Sequence, residues 1–179
     1  MPQFITDEQF DHFFSDGFLH TAWRLETRRA YASDRRGESY QRFLRGEDPQ
    51  ADPTRPWCEN VRAQVAQGKR IERVRVADEP ITPGQAYLVD VGRTNVAAGE
   101  DVRHLPRAVA DGLQLPPRDF WLFDSRVVLL LHFDEDDVYL GAQLVEDPEV
   151  ILEVVQVRDA AWHHAVPLAE FAQQVPSRV

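Results

Sequence analysis

Apolar side chains in residues 3–16 fall at Phe4, Ile5, Phe10, Phe13 and Phe14, a spacing that predicts a short amphipathic helix. Thr6 or Asp7 is placed to open it, with Glu8 complementing the helix dipole. Trp23, Leu25 and Thr27 then alternate with Arg24, Glu26 and Arg28, and a period of two predicts an extended segment. A short helix is expected from Gly37 to Gly46, followed by the proline-rich loop DPQADPTRP. A further helix over 55–67 carries Trp57, Val61 and Val65 on one stripe and stops at Gly68.

The pattern then changes. In RIERVRVAD, Ile71, Val74 and Val76 are interleaved with charges, which predicts a strand. TPGQAYLVDVGRTNVAAGE predicts a helix with Pro83 in its first turn and Gly99 past its end. DVRHLP is a short strand, RAVADGLQLPPR a connection, and DFWLF, RVVLLLHF and VYLGAQLV three β segments separated by DSR and DEDD. DPEVILEVVQVRDAAWHHAV predicts a long helix capped by Asp147. Its apolar face runs through Val150, Ile151, Val154, Val157, Ala161, Trp162 and Ala165, and a terminal helix follows Pro167. This order fits an α/β (α+β) fold: a single mixed β-sheet flanked by helices. The expected organisation is one domain over 1–179, with an N-terminal helical and extended arm (1–52) on an α/β core (53–179).

Composition narrows the class. Of 179 residues, 43% are hydrophobic and 28% charged, as expected of a folded globular chain. No apolar run approaches the roughly 20 residues of a membrane span. MPQFITDEQFDHFF lacks the basic and apolar regions of a signal peptide, so a cytoplasmic protein is expected, with no membrane association. The lone Cys58 excludes an internal disulfide, and Lys69 is the only lysine, so an amine nucleophile has one candidate. The net charge of −10 is uneven: −4 over residues 1–19, +5 over 20–76 and −11 over 77–179. Overall acidity argues against general nucleic-acid binding, while the arginine-rich segment 20–76 leaves a local basic face conceivable.

The polar residues in DFWLFDSRVVLLLHFD invite a catalytic reading. Asp124, Ser125 and Arg126 lack the flanking glycines of a nucleophile elbow and sit between strands, so a turn is expected. His132 and Asp134 would project to the same side of a strand, which makes an acid–base pair sterically feasible, and the DEDD tip carries oxygen ligands without calcium-loop spacing. His163 and His164 are neighbours, not an i, i+4 zinc pair; one is expected to face solvent and the other the sheet. No glycine string cradles a phosphate, and no cofactor or metal is expected. The polar group best suited to recognition is Arg24, Glu26, Arg28 and Tyr31, flanked by Trp23 and joined by Trp57.

TAWRLETRRAY, WCENVRAQVAQGKRIERVRV, AGEDVRHLP, LPPRDFWLFDSR, LGAQLVEDP and RDAAWHHAVP together resemble an actinobacterial family, a domain of unknown function of about this length. Its members tend to lie beside genes for helix-turn-helix transcriptional regulators, so the resemblance implies a regulatory setting and such a regulator as partner. A more distant likeness is to one half of a phospholipase D-like domain. Active members of that group need His-x-Lys followed four residues later by Asp, and no lysine stands two residues after any histidine here. The expectation is therefore a non-catalytic binding or regulatory module acting with a helix-turn-helix regulator, through Arg24, Glu26, Arg28, Tyr31 and Trp57. Two alternatives stay open: an atypical hydrolase or phosphodiesterase using His132, Asp134, Asp124 and Arg126, and nucleic-acid binding by segment 20–76.

Overall fold

The period-two run forms strand β1 (Thr21–Glu26), preceded by α1 (Asp7–Phe13). The computed structural model describes residues 2–175. After β1 come α2 (Ala32–Arg35), α3 (Glu38–Leu44), α4 (Pro56–Ala66), β2 (Arg70–Ala77), α5 (Pro83–Ala98), β3 (Asp101–Pro106) and α6 (Arg107–Gly112). The chain continues through β4 (Phe120–Phe123), β5 (Val127–Phe133), β6 (Tyr139–Val145), α7 (Pro148–His164), β7 (Val166–Pro167) and α8 (Leu168–Gln174). The strands form one mixed sheet in the order β6-β5-β4-β1-β2-β3-β7. β1, β2 and β3 run parallel, and the flanking strands pair antiparallel. Segment 1–52 supplies β1, the middle strand of this α+β sheet.

Side chains alternate across a strand, and both faces of the central strands are covered. On one face Ala22, Ile71, Trp121, Phe123 and Leu129 pack with Cys58 and Val61 of α4 and with Phe14 and Phe18. On the other, Trp23, Leu25, Val74, Leu105, Phe120 and Leu122 pack with Ala110 of α6 and with Val154 and Ala161 of α7. Each such large side chain contributes about 1.5–3 kcal/mol by leaving water. The helices begin where the sequence offers caps. Thr6 and Thr82 form reciprocal capping boxes with Gln9 and Gln85, and Asp147 accepts from the Glu149 and Val150 amides. Gly99 ends α5 at φ 111°, the left-handed cap that only glycine adopts cheaply.

Three local expectations change. The connection after β3 contains α6, and two short elements, α2 and β7, carry too few residues to show a period. His163 and His164 are both exposed at the end of α7, past the packed turn that buries Ala161 and Ala165. Arg73 and Arg75, among the charges interleaved in β2, are buried.

The Asp124-Ser125-Arg126 segment is a turn. Asp124 and Ser125 hold φ of 51° and 55°, a left-handed region that Asp tolerates better than most residues. The Asp124 carboxylate accepts from the amides of Leu19, His20 and Thr21 at 2.7, 2.7 and 2.8 Å, which fixes the entry to β1. Burial pushes this carboxyl up, and those amides and the nearby His20 outweigh it and hold it below its usual range. Asp124→Ala removes three charge-assisted bonds and places alanine at positive φ, so a loss of about 2–4 kcal/mol is expected in urea unfolding. Ser125→Ala, which loses only an exposed bond from Arg158, is expected within about 1 kcal/mol of wild type.

Candidate ligand-binding site

A line of alternating charges crosses the sheet on the α4–α5 face. It begins at Asp119, just before β4, and passes through Arg24 and Glu26 of β1 to Arg73 and Arg75 of β2. It ends at Glu100, just before β3. Strand register creates the line, since Arg24 stands beside Arg73 and Glu26 beside Arg75 in the parallel pair. Residues i and i+2 share a face, so two charges from each strand project together.

Every oxygen of the three carboxylates accepts at least one hydrogen bond. Glu26 accepts from Arg73 Nη1 and, at 2.6 Å, from Arg75 Nε. Glu100 accepts from Arg73 Nε at 2.6 Å, Asn95 Nδ2 at 2.7 Å and Trp57 Nε1 at 2.8 Å. Asp119 takes the Tyr31 hydroxyl at 2.6 Å, the Thr27 amide and hydroxyl at 2.8 and 2.9 Å, and Arg24 Nη2 at 3.4 Å. The side chains of Glu100 and Asp119 have no exposed surface. Arg24 Nε lies 3.1 Å from Glu26 Oε1 but out of line for a hydrogen bond, which leaves a buried N–H without a partner among the described residues.

The field of this network is visible in its ionisation. Burial pushes the Glu26 carboxyl up, but Arg73, Arg75 and Arg24 together outweigh it and hold it well below the carboxylate range. Burial pulls the Arg73 guanidinium down, and Glu100 and Glu26 more than offset that, raising it above its ordinary value. Burial raises Tyr31 well above the usual phenol, and the charges of Glu26 and Asp119 add to it, so Tyr31 is a neutral donor. Asp34, on α2, is raised to about 6 by burial and by Glu26, against the opposing pull of Arg75, Arg24 and Arg55.

Above the network lies a cavity of about 610 Å³, within the size range of small-molecule sites. Arg24, Glu26, Tyr31 and Trp57 all line it, together with Arg55, Arg73, Arg75 and Asp34. A second cavity of about 540 Å³ shares Phe10, Arg24, Trp57 and Arg73 with it and adds Trp121 and Asn60. Arg24 and Arg73 stand 5.5 and 5.4 Å from the Trp121 ring, and Arg73 stands 5.6 Å from Trp57. Arg28 is elsewhere. It donates to Asp137 and to the Asp134 carbonyl and lies over Phe133, tying the segment after β1 to the β5–β6 hairpin. Sequence reading missed Arg73, Arg75, Glu100, Asp119, Arg55 and Asn95. The signal available was a second pair of charges two residues apart, at 73 and 75, matching the pair at 24 and 26.

The hydrolase constellation does not assemble. Asp124 and Arg126 lie at one end of β5 and His132 and Asp134 at the other, about 20 Å apart along an extended strand. Asp134 accepts from the amides of Asp136 and Val138, and His132 faces Gln143 and the ring of Phe4. Among the described residues, no group of three or more His, Cys, Asp or Glu is placed to hold a metal ion, and no helix is long and apolar enough to cross a membrane.

Fold and site thus define a mixed-sheet α+β protein with an arginine-lined cleft held by buried carboxylates. Residues 8–173 match one family model, described as a domain of unknown function (DUF6879), and the chain belongs to that family. The matched span includes every residue of the network. No curated protein matches the chain.

Opposite pH dependences follow from Glu26 and Asp34. The lowered Glu26 pKa gives stability that is present above its unfolded value of 4.5 and lost as pH falls. Asp34 is raised from 3.8 to about 6, so the folded state holds the extra proton and its contribution declines as pH rises through that window. Asp34→Asn is therefore expected to gain about 1–3 kcal/mol over wild type at pH 7.5 and to match it near pH 3.5. Urea unfolding at the two pH values checks this; an equal difference at both would contradict it.

Proposed function

We propose that this protein is a non-catalytic binding module that takes a small molecule into the cleft above Arg24, Glu26, Tyr31 and Trp57. We propose further that it works in the cytoplasm with a helix-turn-helix transcriptional regulator as the partner that senses whether the cleft is filled. The observation that carries the first part is the pairing of a ligand-sized cavity with a polar wall immobilised by buried ion pairs. Preorganised donors lower the entropy lost when a ligand is bound. The partner rests on the regulatory setting that the sequence resemblance implies.

The other two readings have less support. Asp124 and Arg126 lie at the opposite end of β5 from His132 and Asp134, and the phospholipase D likeness supplies no His-x-Lys centre. In segment 20–76 every base except Arg36, Arg55 and Lys69 pairs with an acid among the described residues, which lowers the net charge of the extended basic face that a nucleic-acid backbone would need.

A metabolite panel screened by thermal shift tests the reading, with Ser33→Trp as the blocked form. Ser33 is exposed and lines the cavity, so an indole there adds bulk over the cleft without entering the core. At least one compound is expected to raise the wild-type melting temperature by about 3 °C or more and to leave Ser33→Trp unmoved. A panel that stabilises neither form, or both equally, would contradict a cleft ligand. For the partner, the regulator is expected to co-elute with this protein in size exclusion, in an amount that changes when the hit is added.

A further inference from the structure

Resting on that reading, we infer that the cleft takes a flat aromatic compound carrying an oxyanion, a carboxylate or a phosphate, which docks on Arg55 and the outer edges of Arg24, Arg73 and Arg75. The inference comes from what the network has spent and what it has left. Both oxygens of Glu26 are occupied by arginines, and Glu100 and Asp119 are occupied and wholly buried behind the wall. At the network itself a cationic ligand would meet guanidinium hydrogens before a free carboxylate oxygen; Asp34 is the open carboxylate on the lining among the described residues.

Donors, by contrast, remain. A guanidinium carries five N–H groups in a planar fork. Arg73 and Arg75 use Nε and Nη1, so Nη2 of each has no protein partner among the described residues. Arg24 uses Nη2 alone, with its Nε unpartnered, and Arg55 uses Nη2 alone, on Asn95. Two coplanar N–H groups match the two oxygens of a carboxylate or phosphate, a fit that lysine cannot supply. All four guanidiniums line the cavity, whereas only Glu26 and Asp34 do so among the carboxylates. Among the described residues no arginine is bonded to Asp34, which is left to accept a hydroxyl or N–H of the ligand.

The remainder of the wall selects an aromatic body. Trp57, Tyr87, Phe133 and Tyr139 line the cavity with the arginines, as do Leu88 and Leu131. Trp57 and Phe133, which hold Arg73 and Arg28 near their faces, present apolar surface beside a charged edge, the environment a flat anion needs.

Two matched pairs of probes separate the anion from the ring and the phosphate from the carboxylate. Adenosine 5′-monophosphate is compared with adenosine, and 4-hydroxybenzoate with 4-hydroxybenzyl alcohol, by calorimetry and tryptophan fluorescence on the full chain. In at least one pair the anion is expected to bind 20-fold or more tighter than its neutral partner; which pair responds identifies the oxyanion. Arg55→Gln, a half-buried position outside the carboxylate network, is expected to weaken that anion roughly tenfold or more, the range of a charge-assisted bond, with melting behaviour like wild type. Arg55→Lys, which keeps the charge and loses the fork, is expected to fall between the two. Equal binding of the neutral partner, unchanged affinity in Arg55→Gln, or no binding of any probe overturns this ligand class. In that last case the module itself survives if the panel still yields a compound blocked by Ser33→Trp, and it falls with the ligand class if none does.

Discussion

Glu26 holds two arginines of the neighbouring strand and lies 3.1 Å from a third on its own strand, at the middle of a sheet covered on both faces. Burying four charges there is costly in desolvation, and ion pairs of this kind rarely stabilise a fold more than well-packed apolar residues would. What the arrangement does enforce is geometry. Each guanidinium is clamped through Nε and one terminal nitrogen, or caught between carboxylates, so its free edge has one direction. Removing Glu26 would leave three cations facing each other, which makes β1 and β2 dependent on this register.

The hydrophobic layers exist around that constraint. The lower layer, with Trp23, Leu25, Val74 and Leu105, seals the back of the central strands against α6 and α7. The upper layer, with Ile71, Val61, Cys58 and Phe123, stops where the charged line begins, and the cleft occupies the space that a continued core would have filled. α5 closes the far wall. Its Asn95 orients Glu100, and its Leu88 carbonyl accepts Arg75 Nη1 at 2.8 Å. Sheet, helix and network thus define one surface on which donors outnumber acceptors.

Much of this architecture was legible in the sequence, and the reasons for the gaps are physical. Strands β4 to β6 and the long helices announced themselves through period, caps and proline position, and Asp124 was correctly a turn residue. Strand β2 was read from Ile71, Val74 and Val76, yet Ile71 and Val74 cannot share a face at a period of two. That discrepancy marked a strand buried on both sides, where Arg73 and Arg75 had to be internal. Of the candidate site, Arg24, Glu26, Tyr31 and Trp57 stood out by residue type, and all four line one cavity. Their partners Glu100 and Asp119 are distant in sequence and lie within AGEDVRHLP and DFWLFDSR. Arg28 had the right chemistry, but the hairpin acid Asp137 captures it, and no local pattern could reveal that.

The central claim is that the arginines are fixed before any ligand arrives. Nitrogen-15 NMR of the arginine side chains in the free protein tests it most directly, by reading rotation about Nε–Cζ and the solvent exchange of each Nε–H. The account predicts that Arg73 and Arg75 show slow rotation and slowly exchanging Nε–H groups, in contrast to exposed Arg36. Averaged signals that exchange as fast as those of Arg36 would contradict it.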